Sequence, residues 1–344
     1  MTGSRRRVTQ RDIARLSGVS QATVSLVLNN RLDGGVRIAT GTRQRVLDAI
    51  RDTGYVADPV ARRLGDQYNR IIGVFTYEPV FPSAARDFFH PFLRGLEEQA
   101  ERLGCDLLLL TSAPVDGGRR RMFAEGSRIR LADGCVLLGR EVDRGDLERL
   151  VAEGIPFVSV GRREDAGGPV PYVGADYPAA TAALVRRATE LGHANLAYVG
   201  RGDGPESYVD RFRGYRDAAE AARARALRIP EADPAALDAA LADGVTALFL
   251  EEPADIPAVA AWAQARGLGV PADLSLVALG DPTRPVSIDL DVAGFTIPRR
   301  EMGRQALDVF FALIEGVETA RQRLLPCELH DGATLAPPTG RNQS

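Results

Sequence analysis

A short segment near the N-terminus constrains the fold of this chain more than any other, because it predicts two helices joined by a glycine turn. Thr9 is placed to cap the first helix, and Asp12, three residues later, gives a variant of the capping box. Gly18 suits the sharp turn that follows, since glycine adopts left-handed backbone conformations at no steric cost. The apolar face of this helix is expected to comprise Ile13, Ala14 and Leu16.

The second predicted helix begins after the turn, where Ser20 is placed to cap it. Helical spacing puts three apolar residues on one face, and these are Val24, Val27 and Leu28. The other side carries Gln21, Ala22, Ser25 and Leu26. This layout is typical of a helix-turn-helix, whose second helix enters the DNA major groove with its N-terminus first. Two amphipathic helices around a glycine also occur in ordinary helical bundles, which leaves simple packing as the alternative.

Charge is distributed unevenly along the chain. Residues 1–70 contain 13 arginines, 6 aspartates and no glutamate, for a net charge of +7, whereas the rest of the chain carries −10. All 43 basic residues are arginine, so their uneven distribution is more informative than their number. A basic N-terminal part on an acidic body indicates nucleic-acid contact through that part alone. Arg5, Arg6 and Arg7, directly before the first helix, favour contacts with phosphates.

Composition and length indicate an ordinary soluble protein of two or three domains. No apolar run approaches the ~18 residues of a membrane-spanning helix, and no secretory signal is apparent, so we expect a cytoplasmic protein without membrane contact. The three cysteines, Cys105, Cys135 and Cys327, lack the spacing of a zinc site or of a disulfide framework. The three histidines, His90, His193 and His330, lack the spacing of a catalytic triad or a metal site. We therefore expect no cofactor, no metal and no catalytic activity.

Two further helices are predicted before residue 70. One runs from about Thr42 to Thr53, ends at Gly54, and has an expected inner face of Val46, Leu47 and Ile50. The other begins at Asp58 and Pro59, a capping residue followed by proline at the first helical position. It extends to about Leu64 and is too short to be stable alone in water.

From residue 71 onward, predicted strands and helices alternate. The strands cover 71–76, 105–111, 134–138, 157–160, 172–174, 195–199, 247–250 and 274–279. The helices cover 88–103, 118–130, 145–153, 178–191, 208–224 and 255–266. Such alternation predicts parallel sheets with right-handed crossovers. The number of strands favours two sheets side by side, with a crevice between them that suits a small ligand.

The sequence resembles the LacI/GalR family of bacterial transcription regulators from Val8 to about Pro337. The strings that carry the resemblance include 12–29, Gly54-Tyr55, 61–64, 92–100, 191–193, 211–215 and 302–306. The resemblance implies an all-α helix-turn-helix headpiece (1–57), a hinge helix and linker (58–70) and an α/β periplasmic-binding-protein-like body (71–344). The body would contain two doubly wound parallel-sheet subdomains, an N-subdomain of about 71–173 and 299–326 and a C-subdomain of about 174–298 and 327–344.

The resemblance also implies a set of DNA-binding residues: Thr9, Ser20, Gln21, Ala22, Thr23, Ser25, Leu26, Asn29, Thr42, Tyr55, Ala61 and Leu64. Gln21 is the best candidate for base readout, because an amide pairs bidentately with adenine, whereas Ala22 suits a thymine methyl. Thr9, Ser20 and Thr42 suit phosphates. Leu64, beside Ala61, matches the leucine that the family inserts into the minor groove, which bends the duplex.

The expected effector-binding residues are Tyr77, Phe88, Arg162, Arg211, Glu251 and Asp281. Tyr77 and Phe88 follow the first strand and would form an apolar wall, with ordinary core packing as the alternative. Arg211 matches the family arginine that reaches a sugar hydroxyl or a carboxylate. Two positions depart from the family pattern: Leu250-Glu-Glu-Pro replaces an Ala-Asn-Asp string, and Ala278-Leu-Gly-Asp replaces Gly-Tyr-Asp-Asp. Glu251 is thereby free either to accept a cationic group or to pair with Arg211.

The resemblance implies a homodimeric repressor that binds a palindromic operator in double-stranded DNA. A small-molecule effector, sugar-like or another polar metabolite, would switch it from the crevice by favouring one of two states. Two alternatives remain at this point. One is a solute-binding module or α/β enzyme whose N-terminal helices only dimerise, and the other is a DNA-binding regulator that takes no effector.

Overall fold

A computed structural model of the protein describes residues 8–28, 38–53, 55, 68–78, 88–282 and 290–339. The chain divides into two compact units, residues 1–70 and 71–344. The predicted hinge helix, Gly54, Asn29, Ala61 and Leu64 lie outside the described residues. In the described part, no helix has the length and apolar character needed to cross a membrane.

The N-terminal unit contains three helices, α1 (Gln10–Ser17), α2 (Gln21–Leu28) and α3 (Thr40–Thr53). The predicted capping box is confirmed: the backbone N–H of Thr9 donates to Asp12 Oδ2 over 3.0 Å, and the Thr9 hydroxyl accepts from the Asp12 N–H. Gly18 ends α1 in the left-handed conformation, with φ +67°. The hydroxyl of Ser20 accepts from the Thr23 N–H over 3.1 Å at the start of α2. Local chemistry therefore sets both ends of the glycine turn.

The core of this unit is formed by Ile13, Ala14, Val24, Val27, Val46 and Tyr55. Two predicted core positions are wrong, because Leu16 is 59% exposed and Leu47 is 39% exposed. Each residue turns a helix by about 100°, which puts Leu16 at the edge of the buried side that carries Ile13, Ala14 and Ser17. Ser17 occupies the inner position, and its hydroxyl donates to the Ile13 carbonyl over 2.7 Å. Leu47 similarly lies beside the inward-facing Val46 on α3.

The body contains helices α4 to α10 and strands β1 to β14. The helices are α4 (His90–Leu103), α5 (Arg144–Ala152), α6 (Tyr177–Glu190), α7 (Glu206–Ala221), α8 (Pro234–Ala242), α9 (Ile256–Gln264) and α10 (Arg299–Ile314). The strands are β1 (Ile71–Thr76), β2 (Asp106–Leu109), β3 (Val115–Asp116), β4 (Arg119–Arg120), β5 (Cys135–Leu138), β6 (Phe157–Val160), β7 (Tyr172–Ala175), β8 (Asn195–Val199), β9 (Arg225–Ile229), β10 (Ala247–Leu250), β11 (Ser275–Ala278), β12 (Ala293–Thr296), β13 (Gln322–Leu325) and β14 (Glu328–His330).

Twelve of these strands form two six-stranded sheets. The first has the order β13-β7-β6-β5-β1-β2, and the second has the order β14-β12-β11-β10-β8-β9. All neighbours in both sheets are parallel except β12 and β14, which run antiparallel. Apolar clusters cover both faces of each sheet, as parallel sheets require. The α/β fold class with two parallel-dominated, doubly wound sheets is therefore confirmed.

The chain passes between the sheets three times. It leaves the first sheet after β7 and returns with α10, which packs on β5, β6 and β7. It leaves again after β13, because β14 belongs to the second sheet. The connections place the carboxyl ends of both sets of central strands around one crevice, which is where open α/β sheets bind ligands.

The helix predicted over 118–130 is wrong. The segment instead begins in a hairpin in which Val115 pairs with Arg120 and Asp116 with Arg119. Gly117 and Gly118, with φ of +57° and +79°, form the two-residue turn that antiparallel strands prefer. A 3₁₀ turn at Ile129–Leu131 completes the segment.

Besides the hairpin strands β3 and β4, six elements of the described body escaped prediction: β9, β12, β13, β14, α8 and α10. Of these, α10 matters most for the site, because it packs closely against α4. Glycines allow this approach: a Cβ at Gly95 would collide with the carbonyl oxygen of Arg300, and one at Gly303 with that of Phe92. The crossing of α4 and α10 carries Phe88, Phe92 and Arg299 to the rim of the crevice.

Candidate DNA-binding surface and ligand cleft

The exposed face of α2 carries the predicted base-reading residues. Gln21 and Ala22 are exposed at the N-terminal end of the helix, where a recognition helix meets base edges. The Gln21 amide contacts only Gln10 within the described residues, by donating to Oε1 over 3.4 Å. It is thus held by one long hydrogen bond, which a base edge would readily replace.

The other predicted DNA-binding residues surround this end of α2 or lie nearby on the same unit. Ser20 and Thr23 share a hydrogen bond of 2.9 Å between their hydroxyl oxygens, and Ser25 and Leu26 are half-buried one turn further on. Thr9 is exposed beside its capping partner. Thr42 is half-buried near the start of α3 and accepts from Arg45 over 3.4 Å.

Tyr55 differs from the others in its surroundings. Its ring is buried in the core of the N-terminal unit with Ile13 and Val46. The structure therefore gives Tyr55 a packing role, and a DNA contact through its hydroxyl stays a prediction.

A cleft in the body lies at the carboxyl ends of β5, β6, β10 and β11, and encloses about 880 Å³ including its open mouth. Five of the six predicted effector residues line it: Phe88, Arg162, Arg211, Glu251 and Asp281. Residues from both sheets contribute, so the cleft is the crevice that the sequence predicted.

The prediction that Tyr77 lines the ligand cleft is wrong. Its side chain is 1% exposed and lies in a separate apolar cluster with Phe75 and Leu147. The Tyr77 hydroxyl donates to Asp146 Oδ2 over 3.0 Å, and burial, followed by the nearby charge of Asp146, raises the pKa of Tyr77. The chain turns after β1, so Tyr77 points toward α5, whereas Phe88 faces the cleft.

Four arginine–acid pairs cross the cleft. Arg162 Nε lies 2.6 Å from Asp210 Oδ2, Arg163 Nη1 lies 2.8 Å from Glu206 Oε2, Arg140 Nη1 lies 3.5 Å from Glu252 Oε1, and Arg299 contacts Asp281. Each arginine belongs to an element that packs with the first sheet, and each acid to an element of the second. The two halves of the body are therefore joined by complementary charges across the cleft.

Glu251 does not pair with Arg211, although the sequence left that pairing open. The Glu251 carboxylate is 2% exposed and accepts from the N–H groups of Gly202 over 2.8 Å and Arg201 over 3.2 Å, and from the Tyr198 hydroxyl. Burial raises the pKa of Glu251, and these hydrogen bonds act in the opposite direction. Its position favours holding the loop after β8 over accepting an amine from a ligand.

Asp281 is engaged in a similar way. Its Oδ1 accepts from the Ile297 N–H over 2.8 Å, and its Oδ2 accepts from Arg299. Arg162 is held by Asp210 and also by Glu164, over 2.6 Å. Both residues line the cleft as predicted, but each already has charged partners.

Arg211 has different surroundings from the other lining arginines. Its guanidinium carbon lies 4.1 Å from the ring centre of Tyr177, which gives it a cation–π contact. One nitrogen, Nη1, donates to the Ser207 carbonyl over 3.3 Å. Within the described residues, no carboxylate oxygen lies within 4.0 Å of the Arg211 guanidinium nitrogens, and Arg211 Nε has no hydrogen-bond partner.

The lining residues that sequence reasoning missed include Arg140, Arg163, Tyr177, Tyr208 and Arg299. Arg140 and Arg163 follow strand ends at Leu138 and Val160, a signal that was available. Arg163 is 4% exposed, donates to the Gly139 carbonyl over 2.7 Å, and has its pKa lowered by burial. Arg299 begins a helix that was not predicted, so no such signal existed for it.

Two family descriptions match this sequence. Residues 9–58 match bacterial regulatory proteins of the lacI family, and residues 185–335 match the periplasmic binding protein-like domain. A helix-turn-helix transcriptional regulator of Streptomyces limosus, encoded in the aml 5′ region, is 32% identical over 295 residues, which is 78% of each chain. The transcriptional regulator CelR of Thermobifida fusca is 27% identical over 338 residues, 93% of this chain and 96% of that one.

Solved structures share the fold. The lac repressor dimer bound to operator and the anti-inducer ONPF superposes with a TM-score of 0.70 at 19% identity, and covers 96% of this chain and 100% of its own. The complex of CelR with cellobiose gives a TM-score of 0.61 at 24% identity, over 95% of this chain and 100% of its own.

The capped helix pair, the basic N-terminal unit and the two-sheet body together define a helix-turn-helix transcriptional regulator that binds DNA. The chain belongs to the LacI family of bacterial regulatory proteins.

Proposed function

We propose that this regulator is a repressor that binds a palindromic site in double-stranded DNA as a homodimer in the cytoplasm. A small polar molecule in the cleft would switch it, and it would have no enzymatic activity. The observation that carries the proposal is the exposed N-terminal end of α2, where Gln21 and Ala22 stand clear of a packed helical core. Such an end is suited to the major groove.

The residues predicted to touch DNA have separate roles in this proposal. Gln21 would read adenine and Ala22 a thymine methyl, whereas Thr9, Ser20 and Thr42 would hold phosphates. Ala61 and Leu64, with Asn29, remain assigned by family resemblance. Because one headpiece spans one half-site, a palindrome requires two chains.

Relatives support the dimer and the effector. The lac repressor structure is of a dimer on its operator, and the CelR structure is of its complex with cellobiose. The aromatic side chains of Phe88 and Tyr177 at the cleft wall, beside charged side chains such as Arg211, suit a small molecule. Binding in the cleft would favour one angle between the two halves of the body and so alter DNA affinity.

A regulator without an effector is the second candidate. The engagement of Glu251 and Asp281 by loop amides and by Arg299 favours it, since two acids that might contact a ligand are already bonded. It predicts DNA binding that no small molecule changes.

The test is fluorescence anisotropy of the full chain on DNA from upstream of its own gene. We expect binding that is at least about 10³-fold tighter than to random DNA, that weakens steeply with salt, and that has two chains per duplex in sedimentation. Equal affinity for both DNAs would overturn the proposal in favour of a solute-binding module or enzyme. Metabolites added to the complex then separate the two regulator candidates.

A further inference from the structure

We propose that the cleft ligand is a small organic acid, with a carboxylate or phosphate group on Arg211 and an apolar portion against the aromatic wall. This inference names the effector of the proposed regulator and therefore rests on that function.

The first argument is the unsatisfied guanidinium of Arg211. The residue is 6% exposed and lines the cleft, yet of its five N–H donors only one has a partner in the described residues, the Ser207 carbonyl at 3.3 Å. Its Nε is buried without a partner. A buried cation with open donors is costly unless an anion pairs with it, and a carboxylate or phosphate matches the guanidinium geometry with two hydrogen bonds.

The second argument is that the other lining arginines are already neutralised. Arg140, Arg162, Arg163 and Arg299 each have an acid of the opposite sheet within 4.0 Å. The charge of Arg211 acts on Glu251 and works to lower the pKa of its carboxyl. The Glu251 carboxylate nevertheless accepts from Gly202 and Arg201, and rotation toward Arg211 would break these hydrogen bonds. Among the described lining residues, Arg211 is therefore the one arginine without an acid within 4.0 Å.

The third argument is the shortage of free acceptors. A sugar presents many hydroxyl donors and needs carboxylate or amide oxygens to receive them. Both oxygens of Glu251 and of Asp281 already accept hydrogen bonds. Asp210 forms ion pairs with Arg162 and Arg213, and only its Oδ1 accepts no hydrogen bond. Glu252 lies half-exposed at the mouth with Tyr208 and Arg140. A ligand rich in acceptors fits these contacts better than a polyol does.

The fourth argument is that Gly280 leaves space for a ligand beside Arg211. Gly280 has φ +141°, and a Cβ at this position would lie 3.5 Å from Arg211 Nη2. A glycine here leaves the guanidinium edge open, where a side chain would cover it. Phe88, Phe89 and Phe92 pack edge to face nearby, and with Ile297 and Met302 they form the apolar part of the lining.

The experiment is isothermal titration of the full chain with phenylacetate, octanoate and phenyl phosphate, and with the neutral isostere phenylacetamide. We expect at least one acid to bind, and to bind at least about tenfold tighter than its neutral counterpart. Comparison of phenylacetate with phenyl phosphate identifies which anionic group Arg211 prefers. Cellobiose is the polyol comparison.

Two variants test the assigned residue. Arg211→Gln keeps a polar side chain but removes the charge, and we expect the preference for the acid to disappear. Arg216→Gln is the matched control, because Arg216 lies on the same helix, is exposed and pairs only with Asp217 among the described residues. Circular dichroism confirms that both variants are folded.

Three results would overturn the inference: equal binding of phenylacetate and phenylacetamide, binding by cellobiose with none by the acids, or no acid binding below about 1 mM. DNA anisotropy is measured on the same preparations. Loss of specific DNA binding by the unaltered chain contradicts the proposed regulator, whereas intact DNA binding with any of the three results contradicts only the acidic ligand.

Discussion

At the scale of single residues, Gln21 carries the clearest consequence for DNA recognition. Its amide is exposed at the start of α2 and is held by one long hydrogen bond to Gln10. We expect Gln21→Ala to cost about 1–3 kcal/mol of specific binding, the value of one bidentate base contact, with non-specific binding unchanged. Anisotropy on specific and random DNA measures both. Gln264→Ala, at an exposed position of α9, is the control, and an equal loss on both DNAs would show that Gln21 does not read bases.

His193 gives a prediction for pH dependence. Its Nδ1 lies 2.7 Å from the Thr246 hydroxyl and its Nε2 lies 2.8 Å from the Ala336 carbonyl, which fits a neutral ring. Burial lowers the pKa of His193 below 6.5. The unfolded chain therefore binds the proton more readily, and the body loses stability as pH falls below about 6.5, by at most about 1.4 kcal/mol per pH unit.

The measurement for His193 is urea unfolding followed by Trp262, the single tryptophan of the chain, which lies in the body. We expect His193→Asn to be less stable at neutral pH but to have a flatter slope between about pH 7.5 and 5.5. His90→Asn, an exposed position, is the matched control. An unchanged slope in His193→Asn would contradict the assignment.

Residue-level prediction worked where the partners are close in sequence. Thr9, Asp12 and Gly18 are fixed by contacts within a few residues, so the pattern reveals them. Glu251 could be placed at a strand end, but its partners at Tyr198 and Gly202 come from about 50 residues away. No local pattern indicates which of several polar groups a buried carboxylate will contact, and Tyr77 was misplaced for the same reason.

At the scale of elements, the contact of α4 with α10 positions one side of the cleft. Gly95 and Gly303 let the two backbones approach, and an added Cβ at either would meet a carbonyl of the facing helix. We expect Gly95→Ala to destabilise the body by about 1–3 kcal/mol or more through overpacking, measured by urea unfolding with Trp262 fluorescence. Ligand affinity should fall as well, since Phe88 and Arg299 shift.

The matched control for Gly95→Ala is Gly145→Ala in the first turn of α5. Its added Cβ would meet only the Asp143 side chain, at 3.1 Å. We expect its stability to stay within about 1 kcal/mol of the unaltered chain. Equal stability for the two variants would refute the close helix contact as the cause.

Elements were predictable when they were buried, apolar strands. β1, β6, β8 and β10 were placed with the observed bounds because continuous apolar runs identify them. The segment 118–130 was predicted as a helix, but Gly117 and Gly118 form the turn of a hairpin at its start. β13 and β14 are short, exposed edge strands. The partner of β14 is β12, more than 30 residues earlier, and the partner of β13 is β7, much further back in the sequence.

At the scale of the whole molecule, the arginine–acid pairs hold the two halves of the body together across the cleft. Arg163 is the most buried of these arginines and contacts Glu206 and the Gly139 carbonyl. We expect Arg163→Met to cost about 1–3 kcal/mol and to increase hydrogen exchange at the strand ends around the cleft. Arg144→Met, which removes an exposed pair with Glu148, is the control. Unchanged exchange in Arg163→Met would contradict a joining role for the pair.

The central claim is that two copies of the α1–α2 headpiece recognise a twofold-symmetric DNA sequence. Its most direct measurement is selection of binding sites by the full chain from a pool of random duplexes, followed by sequencing of the bound fraction. We predict enrichment of one inverted repeat, with half-sites that Gln21→Ala relaxes at a single base pair. Recovery of no enriched sequence, or of one without an inverted repeat, would contradict the account.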